Sequence, residues 1–215
     1  LLKLFITPGV PDPASTFVPS FLSLEEISAA VSEGARLGIP TAAHCIGGQG
    51  LKDCIDGGVD VIEHMYMASE QDVERLAASR CVVDLTSGIF LDPSREEFLS
   101  PANALKVRLN RSRVRENVAR IIKARLPFVL GTDAYHGFLY REVGYAVELG
   151  ADPVTAIQGV TSRAARVCRL EDRIGKLENG MEADIIAVEG NPLEDVSRLS
   201  QVGLVMKGGV VYRQP

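Results

Sequence analysis

Residues 41–65 read TAAHCIGGQGLKDCIDGGVDVIEHM, and within this stretch two short apolar runs each end in a histidine. His44 and His64 lie 20 residues apart and are two of only three histidines in the chain. The segment between them is rich in glycine and has a short helical pattern in its middle. Two apolar runs joined through a helix favour neighbouring strands of a parallel sheet. On such strands the two imidazoles would lie side by side at one edge of the sheet.

The same alternation of strands and helices continues along most of the chain. Five apolar runs resemble strands: LLKLFIT at 1–7, IPTAAH at 39–44, VDVIEH at 59–64, CVVDLT at 81–86 and PFVLGTD at 127–133. We expect helices from a capping box at Ser23 to Gly38, at about 50–56, from Ser69 to about Arg80, and over 101–125, 139–149 and 152–169. The strands show little polar alternation, which is typical of a parallel sheet covered by helices. The pattern predicts an α/β fold.

The last part of the chain has a different pattern. From about residue 174 onward, short β runs are separated by glycines and no helical pattern lies between them. Gly208 and Gly209 fit a two-residue hairpin turn. We therefore expect two domains, 1–173 and 174–215, of which the second is a small β module.

Composition limits the partners that the protein can have. The net charge of −5 argues against nucleic acid and against an anionic membrane surface, because both require clustered Lys and Arg. No apolar run approaches the length of a membrane span. The four cysteines form no C-x-x-C pair, which favours reduced, small core residues. We expect a cytoplasmic protein that acts on a small molecule.

Residues able to bind a metal or a proton lie in or at the end of four of the five strand-like runs. They are Lys3, His44, His64 and Asp133. The carboxyl ends of parallel barrel strands converge on one face, and this donor set suits Zn²⁺, Mn²⁺ or Fe²⁺. Taken singly, each histidine is more often a half-buried structural residue, and Lys3 can be a solvated residue near a terminus. An unpaired ammonium within a central strand is costly, however, which favours a neutralised or metal-linked Lys3.

Four segments in this order carry a family resemblance: LKLFITPGV, TAAHCIGGQGLKDCIDGGVDVIEH, FVLGTDA, and GKLENGMEADIIAVEGNPLEDV with VMKGGVVY. Together they resemble the metal-dependent amidohydrolase superfamily, and within it the imidazolonepropionase-like and Xaa-Pro or Xaa-Arg dipeptidase branch. The resemblance implies a (β/α)8 TIM barrel with a small β-sandwich. Residues 1–173 would supply the last five β/α units, strands 4 to 8, and residues 174–215 would supply strands of the β-sandwich.

The resemblance also implies a role for each candidate residue. Lys3 matches a lysine that is carboxylated and bridges two metal ions, and His44 and His64 match ligands of the second ion. Asp133 matches a metal ligand that takes the proton from the nucleophilic water, and His136 resembles a substrate-binding histidine, although an exposed loop histidine fits as well. The implied cofactors are carboxylated Lys3 and divalent metal, with Zn²⁺ preferred. The implied activity is hydrolysis of an amide or peptide bond of a small substrate, such as a dipeptide, through a metal-activated hydroxide.

One departure from the family pattern is important. The strand-1 His-x-His motif, which supplies ligands to the first metal ion, is absent from this sequence. Residues 1–170 contain five strand–helix units of roughly 34 residues each, whereas eight such units need about 270 residues. We therefore expect either a longer enzyme whose first units lie upstream, or a catalytically silent C-terminal fragment stabilised by oligomerisation. A deaminase or cyclic-amide hydrolase of the same superfamily is a weaker alternative, since deaminases of that kind lack the bridging lysine.

Two further expectations follow from the barrel interpretation. Five strands alone would leave open sheet edges, so we expect a homo-oligomer. The loops after Thr86 and after Asp133 are expected to line the substrate pocket, which leaves prolyl, basic and other dipeptides open as substrates.

Overall fold

The computed structural model describes residues 1–133 and 136–214, and for His136 it describes the backbone alone. The chain divides into two compact units, Leu1–Phe128 and Val129–Pro215. Within the described ranges, no helix has the length and apolar character needed to cross a membrane. The predicted domains 1–173 and 174–215 stay a prediction.

Strands and helices alternate through the first unit, as the sequence predicts. Its elements are β1 (Leu2–Phe5), α1 (Leu24–Leu37), β2 (Thr41–Cys45), α2 (Gly48–Asp56), β3 (Val61–His64), α3 (Glu70–Ala77), β4 (Val82–Leu85), α4 (Gly88–Leu91), a 3₁₀ turn (Pro93–Phe98) and α5 (Pro101–Lys123). β5 (Phe128–Leu130) follows. The strand order is β1-β2-β3-β4-β5, and the pairs from β1 to β4 are parallel. Because the order never reverses, it is the order of a (β/α)8 barrel and not of a doubly wound sheet.

The strand register decides which side chains share a face. Phe5 is the partner of His44, His44 is the partner of Glu63, and Glu63 is the partner of Asp84. Since side chains alternate along a strand, Lys3 lies on the same face as Phe5. One face of the sheet therefore carries Lys3, Phe5, His44, Glu63 and Asp84.

Helix ends in the first unit follow the local sequence closely. The Ser23 side chain accepts from the Glu26 N–H, and the Glu26 side chain accepts from the Ser23 N–H, which completes the predicted capping box. Gly38 ends α1 with φ of +68°, a conformation that favours glycine. A second capping box at Ser69 begins α3, which ends at Ala77, three residues before the predicted end at Arg80.

The second unit is helical and then β-stranded. Its elements after β5 are a 3₁₀ turn (His136–Phe138), α6 (Leu139–Glu148), α7 (Pro153–Gly159), α8 (Ser162–Val167), β6 (Ile185–Val188), a 3₁₀ turn (Val196–Ser200), β7 (Val202–Lys207) and β8 (Val210–Arg213). The last three strands form an antiparallel sheet in the order β6-β7-β8. Gly208 and Gly209 join β7 to β8 with φ of +54° and +80°, as a two-residue hairpin turn requires.

Two predictions need correction. The single helix predicted over 152–169 is wrong, because α7 and α8 are separated at Val160 and Thr161, where Thr161 has φ of −129° and ψ of −103°. Glycine and two β-branched residues adjoin there, and all of them weaken a helix. The prediction that every cysteine is a core residue is also wrong: Cys168 is exposed, whereas the other three are buried, and all four are free thiols.

Candidate metal centre

Two buried histidine rings form the centre of the candidate site. The ring centroids of His44 and His64 lie 4.5 Å apart at an interplanar angle of 63°. His44 is 6% exposed and His64 is 4% exposed. They lie at the carboxyl ends of β2 and β3. The structure therefore brings together the two histidines that the sequence singles out.

Regular strand geometry would not bring the His64 ring to this face. Glu63 is the register partner of His44, so the next residue would point to the opposite face. The chain leaves extended geometry at this point: His64 has φ of +80° and Met65 has φ of +52°. A positive φ costs a non-glycine residue about 1–3 kcal/mol and is concentrated at functional sites. We attribute the meeting of the two rings to this local strain.

A hydrogen-bond chain fixes the orientation of the His64 ring. The Nδ1 atom of His64 lies 2.7 Å from the Thr86 hydroxyl oxygen, which is 2.7 Å from the Tyr66 hydroxyl oxygen. The Tyr66 hydroxyl lies 3.0 Å from the Thr86 carbonyl oxygen. Both Tyr66 and Thr86 are buried.

One placement of the His64 ring proton satisfies all three contacts. A carbonyl oxygen can only accept, so the Tyr66 hydroxyl donates to it. With all three contacts satisfied, the Thr86 hydroxyl donates to the Tyr66 oxygen, and the Nδ1–H of His64 donates to the Thr86 oxygen. In the neutral ring the lone pair is consequently on Nε2, which is the state that a metal ligand needs.

The environment keeps His64 neutral. Burial, followed by the positive charges associated with His44 and Lys3, lowers the pKa of His64 from 6.5 to about 3. At neutral pH the ring therefore carries no charge, and its lone pair is available.

His44 is held differently. Its Nε2 atom lies 3.0 Å from the Pro8 carbonyl oxygen, so Nε2 carries the proton and donates. The Phe5 ring stacks on the imidazole with a centroid distance of 5.4 Å and an interplanar angle of 25°. The lone pair of neutral His44 is thus on Nδ1. To bind a metal ion through Nε2, His44 would have to give up its hydrogen bond to the Pro8 carbonyl.

Lys3 is neutralised by a residue that the sequence analysis missed. Its ammonium forms an ion pair with the Glu63 carboxylate, and the side chains of Lys3 and Glu63 are 35% and 16% exposed. The Oε2 atom of Glu63 is also 3.9 Å from Nε2 of His64. Strand alternation was the signal available in the sequence, because it places Glu63 on the face of the sheet that carries His44.

The two remaining predicted site residues belong to the second unit. Asp133 follows β5, is exposed and has φ of +48°, so it is a second strained residue among the four predicted ligands. The side chain of His136 lies outside the described part of the chain. The ligand roles of all four residues, and the substrate role of His136, stay predictions.

The donor chemistry partly fits a divalent metal ion. Imidazole ligands suit Zn²⁺, but a catalytic zinc ion usually has three protein ligands. Across residues 1–133 and 137–214, no three His, Cys, Asp or Glu side chains are grouped closely enough to hold an ion. Carboxylation of Lys3, which lies on the face of the sheet that carries His44, would add an oxygen donor.

Known proteins resemble this chain over nearly its whole length. The model of the amidohydrolase family matches residues 17–212. An ochratoxinase of Aspergillus niger is 33% identical, in a match that covers 92% of this chain and 43% of the relative. An imidazolonepropionase of Desulfotalea psychrophila is 24% identical, with 78% of this chain and 38% of that protein covered.

Solved structures agree with the sequence matches. A Xaa-Pro dipeptidase with methionine bound in its active site superposes with a TM-score of 0.85 at 31% identity, covering 98% of this chain and 54% of that one. The chain therefore spans about half the length of the relatives it matches. These likenesses confirm the predicted resemblance and the (β/α)8 TIM-barrel class with an appended antiparallel sheet. The chain belongs to the amidohydrolase family.

Proposed function

We propose that the protein is a metal-dependent amidohydrolase that hydrolyses the amide or peptide bond of a small substrate, such as a dipeptide. The observation that carries the proposal is the pair of buried histidines at the carboxyl ends of β2 and β3, with His64 held neutral. Similarity to an ochratoxinase and to a Xaa-Pro dipeptidase supports hydrolysis of an amide bond. The proposal concerns the whole protein, since this chain spans about half of those relatives.

The residues that would hold the metal are His44, His64, carboxylated Lys3 and Asp133. A Zn²⁺ ion held there would lower the pKa of a bound water to about 7 and would polarise the substrate carbonyl. Thr86 and Tyr66 keep the lone pair of His64 on Nε2 by the hydrogen-bond chain described above. His44 becomes a ligand either through Nδ1 or after it releases Pro8.

Asp133 is proposed as the group that moves the proton. Its carboxylate takes a proton from the attacking water and transfers it to the nitrogen of the leaving amine, so that the amine leaves neutral. Such general acid–base catalysis contributes about 10²–10⁴-fold to a rate. The exposed position of Asp133 allows its carboxylate to be reached from solvent.

Carboxylation of Lys3 would change its relation to Glu63. The Lys3 ammonium first loses one proton to give the neutral amine; the amine then adds CO₂ and loses a second proton, so that a cation becomes an anion. Glu63 attracts the ammonium but would repel a carbamate. We therefore expect the Lys3–Glu63 ion pair to describe the unmodified lysine, and carboxylation to require that Glu63 releases it.

The test is hydrolysis of a dipeptide panel by the full-length protein, first stripped with a chelator and then reloaded with Zn²⁺ or Mn²⁺. We expect activity that depends on metal and that disappears in His64→Ala. Asp133→Asn should lose activity, while the exposed Asp172→Asn should retain it as a matched control. A protein that binds Zn²⁺ but hydrolyses no member of the panel would support the catalytically silent alternative. The cytoplasmic location and the homo-oligomer stay predictions.

A further inference from the structure

A small pocket adjoins the histidine pair at the carboxyl ends of the first three strands. Its volume is about 160 Å³, and Pro8, Ile46 and Met67 line it. Each of these residues comes one to three positions after the last residue of β1, β2 or β3. The carbonyl of Pro8 accepts the hydrogen bond from His44, so the pocket wall touches a predicted ligand.

The rest of the wall comes from the segment between β1 and α1. Val10, Pro11 and Val18 contribute apolar surface, and Pro11 and Val18 are buried. The polar side chains of this segment bond within it: Asp12 accepts from the Ala14 N–H at 2.9 Å, and Ser15 accepts from the Phe17 N–H at 3.0 Å. The interior of the pocket is therefore apolar, as ligand pockets are.

Hydrogen bonds to buried groups hold the pocket in shape. The Asn110 side chain donates to the Pro11 carbonyl at 3.1 Å, across 99 residues of sequence. The Ile46 N–H donates to the Thr7 hydroxyl at 3.0 Å, and the Met67 N–H donates to the Ile46 carbonyl at 2.6 Å. A pocket that is already formed spares a ligand the entropy of ordering it.

Glycine allows the walls to approach one another. A Cβ atom at Gly47 would lie 2.8 Å from the Cβ atom of Met67, and one at Gly48 would lie 2.8 Å from the Val18 carbonyl oxygen. Both glycines also have positive φ, +150° and +74°. Because both contacts involve pocket-lining residues, these two positions fix the size of the pocket.

The volume and polarity select the kind of group that fits. An apolar cavity of about 150 Å³ holds one benzene molecule, so this pocket has room for one side chain of the size of proline, valine, leucine or phenylalanine. A charged side chain would lose its hydration there without a partner.

One cation on the pocket wall is free to bind an anion. Lys106 on α5 lines the pocket and is half-buried. It belongs to no ion pair in the part of the chain that the structure describes. The other charged residue of the wall, Asp12, accepts a hydrogen bond from the Ala14 N–H within its own turn. A ligand with an apolar side chain and a carboxylate beside it would use both features.

We propose that this pocket binds the C-terminal residue of the substrate, taking its compact apolar side chain while Lys106 binds its free carboxylate. The inference rests on the proposed amidohydrolase function and deepens it. Among the dipeptides left open by the sequence, it selects those with a C-terminal proline, valine, leucine or phenylalanine over those with a basic or acidic residue. It also assigns substrate selection to the segment after β1, in addition to the two loops that the sequence analysis expected.

The first experiment compares kcat/KM of the metal-loaded full-length protein for Ala-Leu, Ala-Lys and Ala-Glu. We expect Ala-Leu to be hydrolysed best. Lys106→Met should raise the KM for Ala-Leu by about fivefold, which is the effect expected from the loss of one partly exposed ion pair. The KM for Ala-leucinamide should stay unchanged, because this substrate has no carboxylate for Lys106 to bind. Lys123→Met on the same helix is the matched control. A preference for Ala-Lys, or an equal effect of Lys106→Met on acid and amide, would overturn the proposal.

A second experiment separates failure of the pocket from failure of the proposed activity. Binding of N-acetyl-leucine and N-acetyl-leucinamide to the chelator-treated protein is measured by calorimetry, without any catalysis. We expect the acid to bind more tightly than the amide, and expect Val10→Phe, which fills the pocket from a loop, to weaken binding of the acid. If no dipeptide is hydrolysed while this binding pattern holds, the proposed activity is wrong and the pocket assignment is supported. If neither acid nor amide binds, the pocket assignment is wrong.

Discussion

Replacing Thr86 with valine isolates the contribution of one hydroxyl group to the candidate metal centre. That hydroxyl accepts from the Nδ1–H of His64 and donates to the Tyr66 oxygen, both at 2.7 Å. Valine has almost the same shape as threonine, so Thr86→Val removes the two hydrogen bonds and leaves no cavity. The buried Nδ1–H of His64 then loses its acceptor.

The expected losses can be estimated from these contacts. Two hydrogen bonds at about 0.5–1.5 kcal/mol each, with a buried donor left unsatisfied, give a decrease of about 1–3 kcal/mol in the free energy of unfolding. The Tyr66 oxygen lies 3.3 Å from Nδ1 and can replace part of the bond, which favours the lower half of that range. Removing a group that orients a ligand costs about 10–100-fold in metal affinity.

The assay has three readouts. Urea unfolding in the presence of a chelator measures stability, Zn²⁺ titration measures affinity, and ¹⁵N chemical shifts of the His64 ring measure its tautomer. Thr86→Ser keeps the hydroxyl and should resemble the wild type in all three. Thr41→Val is the matched control: Thr41 is equally buried and bonds to Asp60 at 2.9 Å, so its loss should lower stability without changing Zn²⁺ affinity or the tautomer.

The refuting result is specific. If Thr86→Val binds Zn²⁺ as tightly as the wild type and His64 keeps its proton on Nδ1, the hydrogen-bond chain does not position this ring. Loss of stability alone, equal to that of Thr41→Val, would give Thr86 a purely structural role.

Three further predictions concern the neighbouring groups. The pKa of His64 is lowered from 6.5 to about 3, so the unfolded chain binds more protons than the folded chain between these pH values. The contribution of His64 to the free energy of unfolding is therefore fully present above about pH 6.5 and is lost as the pH falls towards 3. Urea unfolding of the metal-free protein at a series of pH values should show the free energy of unfolding rising by up to about 1.4 kcal/mol per pH unit in this range. His64→Gln should remove this pH dependence, and equal pH dependence in both proteins would contradict the prediction. Asp133→Asn should lower kcat by about 10²–10⁴-fold with unchanged unfolding, and a smaller loss would exclude Asp133 from proton transfer. Lys3→Arg keeps a cation for Glu63 but cannot be carboxylated, so it should abolish a carbamate signal in ¹³C spectra recorded with labelled bicarbonate and should abolish activity; full activity would reduce Lys3 to an ion-pair partner.

Features with a local cause could be predicted from the sequence. The capping box at Ser23 and the turn at Gly208–Gly209 depend on a few adjacent residues, and both are present in the structure. The parallel order of the first five strands follows from their alternation with helices, because each parallel connection needs a crossover. The placement of His44 and His64 on adjacent strands follows from the same alternation.

The helix predicted over 152–169 marks the limit of local patterns. Apolar periodicity continues through the segment, but the backbone changes direction at Val160 and Thr161. Because the residues at that position are weak helix formers, the sequence is compatible with one continuous helix and with two separate helices. Packing decided between these two structures.

Only the tertiary structure decided the partners of the candidate site. Lys3 and Glu63 are 60 residues apart, His64 and Thr86 are 22 apart, and Asn110 fixes the Pro11 carbonyl across 99 residues. No periodicity within a helix or strand connects such positions. The sequence determined which residues could serve as ligands, because residue type and strand position are local properties. Register between strands and packing against α5 determined what each one contacts, because those depend on the free energy of the whole fold.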